Sequence, residues 1–286
     1  MTKPRRTAAL LASLLTAQFT TMTTFAPSAE AATITLGSVA DATLISDPDG
    51  AQLALGMAYQ IYAGRVGEQG LGTLRRGLMR FDFSTIPAGS VITAVQLKLY
   101  MSATQGGTHN ISLHRAVQSW GEGTSFAFGG GGAPAQPGDA TWVNRFYPGQ
   151  PWTTPGGNWE PVASATKSVA GIAWYSWATS ARLVSDVQGW LNQPAGNFGW
   201  FVLGNETTLQ SVKRFDSRNS TVNQPQLIIT YTPPPANPAD VNGDGVVNGV
   251  DLAIVLGAWA TSNPTADIDN DGTVNGIDLA LVLAAW

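Results

Sequence analysis

A duplicated, carboxylate-rich segment constrains this chain of 286 residues more than any other feature. Residues 240–259 and 267–286 are copies offset by 27 positions; thirteen of the 20 aligned residues are identical, and both copies end in Ala-Trp. Each copy opens with a 12-residue loop whose sixth position is glycine (Gly245 and Gly272), where such a loop turns sharply. The duplication predicts two similar metal-binding loops, each followed by a short helix.

The spacing of oxygen-bearing residues in both loops matches the needs of calcium. Ca²⁺ takes about six to eight hard oxygen ligands, and a loop of this kind supplies them from positions 1, 3, 5, 7, 9 and 12. In the first loop these positions hold Asp240, Asn242, Asp244, Val246 (through its carbonyl), Asn248 and Asp251. In the second loop they hold Asp267, Asp269, Asp271, Thr273 (through its carbonyl), Asn275 and Asp278. The sequence predicts two bound Ca²⁺ ions.

Each loop is followed by an apolar pattern at helical spacing, whereas no helix is readable before either loop. The apolar positions are Leu252, Val255, Leu256 and Trp259, repeated as Leu279, Val282, Leu283 and Trp286. These paired positions predict that the two exiting helices pack against each other in near two-fold symmetry.

This half-EF-hand duplication at residues 240–286 resembles the type I dockerin. Members of that family bind two calcium ions and dock onto cohesin domains, often in extracellular polysaccharide-degrading assemblies. The resemblance therefore implies calcium binding and a cohesin-like partner. The chain departs from the family at the docking positions, because Gly249-Val250 and Gly276-Ile277 replace a polar pair, and Leu256-Gly257 replaces a basic pair. The alternative is a pair of acidic turns that bind no metal.

The rest of the chain is predicted to be mainly β, a jelly-roll-type β-sandwich over residues 32–232. Charged residues make up 12% of the chain, about half the usual fraction, and glycine is abundant, as suits many strands and tight turns. Residues 95–101 alternate apolar and polar, as do 110–114, and 227–231 form a further strand. One helix is predicted with Leu183, Val187, Trp190 and Leu191 on one face and Pro194 at its end. Residues 233–239 form a Pro-rich linker.

The N-terminal residues 1–31 have the order of an export signal. Basic residues precede a short apolar stretch, and an A-x-A site ends at Ala31. The chain lacks cysteine, and no later stretch is long and apolar enough for a membrane helix. We therefore expect a secreted protein, free or associated with a cell surface. The net charge of −4 gives no reason to expect a nucleic-acid partner.

Several segments of the large domain resemble the DNRLRE family of exported β-sandwich modules. These segments are residues 78–87 (LMRFDFSTIP), 113–115 (LHR), 119–124 (SWGEGT), 151–157 (PWTTPGG), 186–191 (DVQGWL) and 213–218 (KRFDSR). Such modules occur beside dockerins, and some relatives are regarded as carbohydrate-binding, including for acidic polysaccharides. The resemblance implies glycan binding.

Aromatic residues could carry that binding, since sugar rings stack on exposed tryptophans. Burial is nevertheless the commoner state of tryptophan, and it is predicted for those in strand or helix patterns: Trp120, Trp190 and Trp200. The better platform candidates lie in the Gly/Pro-rich region 129–161: Trp142, Trp152 and Trp159.

Charged side chains offer two readings. Arg80 and Asp82 share one strand face, and Arg214, Asp216 and Arg218 share another. They form either an ion-pair ladder across neighbouring strands or a guanidinium surface for sugar carboxylates. The two histidines, His109 and His114, fall on opposite faces of one strand and are predicted to be structural.

The sequence shows no catalytic motif: G-x-S-x-G, H-E-x-x-H and a P-loop are all lacking. The leading hypothesis is a secreted, non-catalytic, polysaccharide-binding protein attached through a calcium-loaded dockerin-like module. Two alternatives stay open, a structural matrix or cell-surface protein and a jelly-roll polysaccharide lyase or hydrolase.

The export signal yields the first testable prediction. We expect the mature protein recovered from the medium to begin at Ala32, because cleavage follows the A-x-A site. N-terminal sequencing measures this directly, and an intact Met1 on secreted protein would contradict it.

Overall fold

A computed structural model describes residues 30–50 and 52–286. The predicted export signal lies outside the described residues, apart from its last two positions. None of the helices in the described part of the chain is long and apolar enough to cross a membrane.

In the described part of the large domain there are fifteen strands and one α-helix. The first eight strands are β1 (Ala32–Leu36), β2 (Ser38–Ile45), β3 (Leu53–Leu55), β4 (Gln60–Arg65), β5 (Leu74–Phe81), β6 (Val91–Thr104), β7 (His109–Arg115) and β8 (Ala133–Pro134). The others are β9 (Asn144–Phe146), β10 (Gln150–Pro151), β11 (Ala165–Val169), β12 (Ala173–Trp177), β13 (Trp200–Leu203), β14 (Lys213–Asp216) and β15 (Gln226–Thr232). Helix α1 (Ala181–Asn192) lies between β12 and β13, and short 3₁₀ turns cover Glu68–Gly70 and Pro194–Gly196.

The long strand β6 organises the front layer of the sandwich. Leu97 pairs with both Trp177 of β12 and Leu227 of β15, and Met101 pairs with both Ala173 of β12 and Phe215 of β14. Because a strand has only two edges, β14 and β15 must run end to end along one side of β6, with β12 on the other. Strands β4 and β1 then flank β14 and β15.

The back layer is antiparallel, in the order β3, β2, β5, β13, β7 and β11. Strand β4 belongs to both layers, because Lys213 pairs with Ala63 at one point and Arg75 pairs with Gly64 at the next. The two layers therefore meet at β4. This arrangement confirms the predicted mainly-β sandwich with a small C-terminal helical module.

The main core lies between the layers. The alternating residues of β6 that the sequence assigned to the core are all fully buried: Val95, Leu97, Leu99 and Met101. Ile111 and Leu113 of β7 meet them in the same cluster. The predicted helix is also confirmed: Ser180 caps it by accepting from Leu183 N at 3.1 Å, and Leu183, Val187 and Trp190 are buried.

The ion-pair ladder predicted from residues 80–82 and 214–218 does not form. Strand β4 separates β5 from β14, so Arg80 and Arg214 do not lie on neighbouring strands. Arg218 instead forms a bidentate pair with Glu122. The order of strands in a sheet depends on long-range pairing, which a period-2 pattern does not encode.

A buried carboxyl lies beside this ion pair. The side chain of Asp41 is 1% exposed; its Oδ2 accepts from Arg218 N at 2.7 Å and from the Ser38 hydroxyl at 3.3 Å. The Asp41 backbone N–H donates to Glu122 Oε1 at 2.9 Å. Burial, aided by the charge of Glu122, raises the pKa of Asp41 to about 7.

The C-terminal module contains α2 (Gly249–Gly257) and α3 (Gly276–Ala285), which pack together. Val255 and Val282 are fully buried, with Leu252 and Leu279 partly buried beside them. The prediction that the remaining apolar positions pack between the helices is wrong, because these residues are exposed: Leu256, Leu283, Trp259 and Trp286. Nine- and ten-residue helices meet along a narrow seam, so their remaining apolar residues lie outside it. Ala239 also belongs to this core.

The buried Asp41 predicts a pH dependence of stability. Its folded-state pKa of about 7 exceeds the ordinary 3.8, so its favourable contribution is complete below about pH 3.8 and is lost as the pH rises through 7. In saturating calcium, we expect the free energy of unfolding to fall less steeply from pH 5 to pH 8 in Asp41→Asn than in the wild type. Denaturant titrations measure this, with the exposed Asp49→Asn as the control. Equal slopes in wild type and Asp41→Asn would contradict the assignment.

Candidate functional sites

The first acidic loop wraps its backbone around its own carboxylates. Asp240 Oδ1 accepts from the N–H groups of Gly243 and Asp244 at 2.9 and 3.1 Å, and its Oδ2 accepts from Gly245 N at 2.7 Å. Asn242 Nδ2 donates to Asp244 Oδ2 at 2.9 Å. These bonds gather the side chains of positions 1, 3 and 5 at one centre.

The second loop repeats this geometry with one more carboxylate. Asp267 Oδ1 accepts from Asp271 N at 3.0 Å, and its Oδ2 accepts from Gly272 N at 2.8 Å. Asp267, Asp269 and Asp271 bring carboxylate oxygens within 4.8 Å of one another. Asn275 Nδ2 donates to the carbonyl of Thr273 at 2.9 Å, so positions 7 and 9 reach the same region.

The twelfth position of each loop has a second role in starting the helix. Asp251 is fully buried; its Oδ1 accepts from Asn242 N at 3.1 Å and its Oδ2 from Asn248 N at 2.9 Å. Asn248 is the N-cap of α2, and Asn275 and Asp278 form the same capping box at α3. The backbone N–H donors, that of Asn248 foremost, lower the pKa of Asp251. These hydrogen bonds therefore favour the ionised form of Asp251 at the loop–helix junction.

The donor set of both loops fits a hard dication. The sites offer carboxylate, amide and backbone carbonyl oxygens and contain neither sulfur nor imidazole, which is the chemistry that calcium prefers. Partial desolvation and the charges of Asp271 and Asp278 raise the pKa of Asp269, as expected where like charges crowd together. A dication between these oxygens would relieve that repulsion.

The comparison with known families finds a match in the C-terminal module. Residues 238–285 match the family model of the Dockerin type I domain. The matched residues include both loops and all twelve predicted ligand positions. No curated protein matches the chain.

The dockerin module presents two chemically similar apolar surfaces. Val250 and Ile277 are exposed at equivalent loop positions, and Leu256 and Leu283 at equivalent helix positions. The tryptophans that end the two copies are 46% and 62% exposed. The duplicated sequence thus leaves a pair of apolar surfaces where a soluble module usually places polar groups.

In the large domain, the tryptophans are distributed only partly as the sequence predicts. Trp120, Trp190 and Trp200 are buried, as predicted. The platform role is wrong for Trp152, which is buried in a second core and donates its indole N–H to the carbonyl of Thr141 at 3.0 Å.

The other two platform candidates are half-buried and already hold a protein group. The Arg76 guanidinium lies 4.4 Å from the ring centroid of Trp142 and 4.8 Å from that of Trp159. Glu206 pairs with the same guanidinium at 2.6 and 2.8 Å. A glycine-rich stretch therefore does not by itself expose a tryptophan.

Some exposed aromatic residues are not among the sugar-binding platforms predicted from the sequence. Trp174 of β12 is 38% exposed, and its ring centroid lies 5.5 Å from that of Tyr100 on β6. Lys98 lies 5.4 Å above the Trp174 ring. A strand parity count could have found this pair, since Trp177 points inward and Trp174 therefore points outward.

A cationic pocket of about 390 Å³ lies further across the same layer. It is lined by Tyr62, Arg75 and Arg214, and by residues 129–131 of the glycine-rich loop. Arg214 and Tyr62 are cross-strand partners on β14 and β4. Their neighbours Phe215 and Ile61 point into the core, so Arg214 and Tyr62 lie on the outer face.

The pocket holds hydrogen-bond donors that the described residues do not satisfy. Arg75 Nε donates to the Gly130 carbonyl at 2.7 Å and its Nη1 to Thr73 Oγ1 at 2.8 Å, which leaves Nη2 without a partner in this part of the chain. Arg214 uses Nε and Nη2 on Ser102, each at 3.1 Å. The Tyr62 hydroxyl is buried and unpartnered among the described residues. Among the described residues, no carboxylate lies within 4.0 Å of the guanidinium of Arg75 or of Arg214.

The histidines do not meet in one site. His114 is bound to the Glu160 carbonyl at 2.9 Å and to Ser112 Oγ at 3.1 Å. His109 lies beside Asn205, at 3.4 Å. The two side chains bond to different partners in the described residues, and their structural role stays a prediction.

We predict that the dockerin module folds only with bound metal. Forty-eight matched residues bury little core, and the loop carboxylates repel one another without a cation. Circular dichroism of a 238–286 fragment should show low helix content in chelator and a large gain in millimolar calcium. Equal helix content in the two conditions would contradict this coupling.

The second loop is predicted to bind calcium more tightly than the first. The second loop carries four ligand carboxylates and the first carries three, because position 3 is Asp269 in the second loop and Asn242 in the first. Isothermal titration of the full chain should therefore show a larger loss of affinity for Asp267→Ala than for Asp240→Ala. The reverse order would overturn the ranking, and Asp269→Asn should bring the second loop close to the first.

Proposed function

We propose that this chain is an exported, non-catalytic protein whose sandwich binds an acidic polysaccharide and whose dockerin module attaches it, in calcium, to a cohesin-bearing partner. The observation that carries the first half is a row of side chains on the outer face of the front layer. The match to the dockerin type I domain supports the second half. Dockerin proteins are typically extracellular, which agrees with the predicted export signal.

The row crosses four adjacent strands. Trp174 lies on β12, Tyr100 on β6, Arg214 on β14 and Tyr62 on β4, all on the outer face. Four strands span about 14 Å, and Arg214 pairs with Ala103, three residues along β6 from Tyr100, which adds an offset of about 10 Å along the strand. A short oligosaccharide would therefore lie diagonally across the four strands. One end offers aromatic rings for stacking and the other offers cations, so the row favours a sugar polymer that carries acidic groups.

Carboxylate or sulfate groups fit the cationic end. Arg75, Arg214 and Tyr62 line one pocket, and among the described residues Arg75 Nη2 and Arg214 Nη1 have no hydrogen-bond partner. Guanidinium groups bind such anions with directed hydrogen bonds. Burial lowers the pKa of Arg75 to about 10, which still leaves it charged at neutral pH. An anion there would supply the counter-charge that a buried cation needs.

A polysaccharide lyase is the rival function, because tyrosine and arginine converge in this pocket. A lyase would need the Tyr62 hydroxyl as a base. Burial raises the pKa of Tyr62, and nearby Arg214 only partly opposes this shift, so the protonated phenol is favoured. A protonated phenol donates a hydrogen bond, which supports binding over proton abstraction.

The docking contact is proposed to be apolar. Leu256 and Leu283 occupy equivalent exposed positions on α2 and α3, with Val250 and Ile277 beside them at the loop ends. We therefore expect binding to a cohesin that presents an apolar surface, with little dependence on salt. Because the copies are alike, the Leu256→Lys/Leu283→Lys double variant should lose more binding than either single change.

Affinity electrophoresis of the full chain in calcium tests the sandwich half. Retardation by an acidic polysaccharide such as polyuronate should exceed that by a neutral glucan. Arg214→Gln should weaken it roughly ten-fold, whereas exposed Arg182→Gln should leave it unchanged. Trp174→Ala should weaken it as well, with exposed Ile172→Ala as its control.

The outcomes separate the alternatives. Release of unsaturated product by purified protein would establish the lyase and refute the non-catalytic role. No retardation by any polysaccharide would refute the sheet-face proposal and favour a structural protein. A cohesin panel assayed in calcium and in chelator tests docking separately, and loss of binding in high salt would contradict the apolar contact.

A further inference from the structure

A second pocket, of about 430 Å³, borders the aromatic pair on the front layer. It is lined by Trp174 of β12, by Gln226 at the start of β15, by the end of β1 and by residues 221–225 of the loop before β15. The cationic pocket shares none of these residues. Because its polar side chains include three amides, we call it the amide pocket.

Strand parity places the polar side chains of the amide pocket on the outer face. Leu227 is buried in the main core, so Gln226, one residue earlier, points outward. Ile34 and Leu36 of β1 pack against the same core, so Thr35 between them also points outward. Thr35 is exposed and Gln226 is half-buried, so a ligand on this face can reach both.

Hydrogen bonds within the loop hold one of the amides in place. Gln224 Nε2 donates to the carbonyls of Arg218 and Ser220 at 2.7 and 3.0 Å, which leaves Oε1 of this exposed side chain as an acceptor. Asn223 and Gln226 each add an amide with both donors and an acceptor. The amide pocket is therefore formed before any ligand binds, as is usual for small-molecule sites.

The amide pocket differs from the cationic pocket in charge. No charged side chain is among its described lining residues, whereas Arg75 and Arg214 line the cationic pocket. Lys98 lies beside the amide pocket without lining it, and its ammonium is 5.4 Å from the ring of Trp174. An aromatic ring with neutral amides and hydroxyls suits an uncharged, hydroxyl-rich ligand.

The register of β6 gives the spacing between the two pockets. Arg214 of the cationic pocket pairs with Ala103. Gln226 of the amide pocket pairs with Lys98, five positions away (from 103 to 98), which is about 17 Å along the strand. Tyr100 of the aromatic pair lies between these two levels. One sugar ring is too small to reach both pockets, so a ligand that fills both must be an oligosaccharide.

We propose that the amide pocket binds a neutral sugar unit of the same polysaccharide whose acidic unit occupies the cationic pocket, an inference that rests on the proposed function. The C–H face of the neutral ring stacks on Trp174, and its hydroxyls exchange hydrogen bonds with the amides of Gln224 and Gln226. An acidic unit would find no counter-charge among the lining residues. The preferred polymer therefore carries both acidic and neutral units.

Two oligosaccharides of equal length separate this recognition from attraction by charge alone. In calcium, the full chain should bind a rhamnogalacturonan oligosaccharide, in which galacturonate alternates with neutral rhamnose, more tightly than an oligogalacturonate. The mixed oligosaccharide carries fewer charges, so attraction by charge alone would give the opposite order. Isothermal titration measures both affinities.

A matched pair of variants tests the amide pocket itself. Gln226→Ala should weaken binding of the mixed oligosaccharide about ten-fold and leave oligogalacturonate binding nearly unchanged, because the cationic pocket holds the latter. Gln96→Ala is the control: Gln96 also points outward, between buried Val95 and Leu97, but does not line the pocket. Retained oligogalacturonate binding by Gln226→Ala would show that this variant is folded.

Three results would overturn this inference and leave the proposed function standing. The oligogalacturonate could bind as tightly as the mixed oligosaccharide or more tightly, or Gln226→Ala could bind the mixed oligosaccharide as the wild type does. Lys98→Gln could also weaken binding of both ligands while Gln226→Ala weakens neither, which would place an acidic unit beside Trp174. Binding of neither oligosaccharide would instead refute the proposed function, and this inference with it.

Discussion

The inward row of β6 is the contact on which the rest of the large domain depends. Leu97 and Met101 each have paired strands on both sides, while their side chains are fully buried between the layers. Removing such a side chain would leave a cavity that the surrounding strands could not easily fill. The same pairing places Tyr100 on the outer face beside Trp174, so the residues that hold the sandwich together also orient its candidate binding row.

Local patterns predicted the elements well, and long-range pairing explains most of what they missed. The alternation around β6 and β7 and the apolar face of α1 depend only on residue order, so the sequence was enough to find them. The ion-pair ladder, one of two interpretations of the charged residues at 80–82 and 214–218, does not form because β4 lies between the strands of Arg80 and Arg214. The cationic pocket was likewise beyond sequence reasoning, since it needs the glycine-rich loop to lie against β4 and β14.

In the C-terminal module, the spacing of oxygen-bearing residues predicted the loop geometry better than the spacing of apolar residues predicted the helix packing. Asp240 and Asp267 occupy corresponding positions in their loops and accept similar sets of backbone N–H groups. The apolar residues after each loop were assigned to one packed seam, but Val255 and Val282 occupy it and Trp259 and Trp286 do not. A short helix that carries more apolar residues than its seam can bury leaves the surplus exposed, and here that surplus forms the surfaces proposed to meet a partner.

The break between β14 and β15 bears on how such a domain can change over evolutionary time. Both strands are anchored to β6, and the start of the connecting loop, residues 217–225, is held by the contacts of Arg218 with Asp41 and Glu122. Its last residues, 221–225, border a pocket that includes Trp174. Insertions or exchanges in residues 221–225 could therefore accumulate next to an exposed aromatic ring while the sandwich kept its register, giving the fold a place to change what its surface contacts without rebuilding its core.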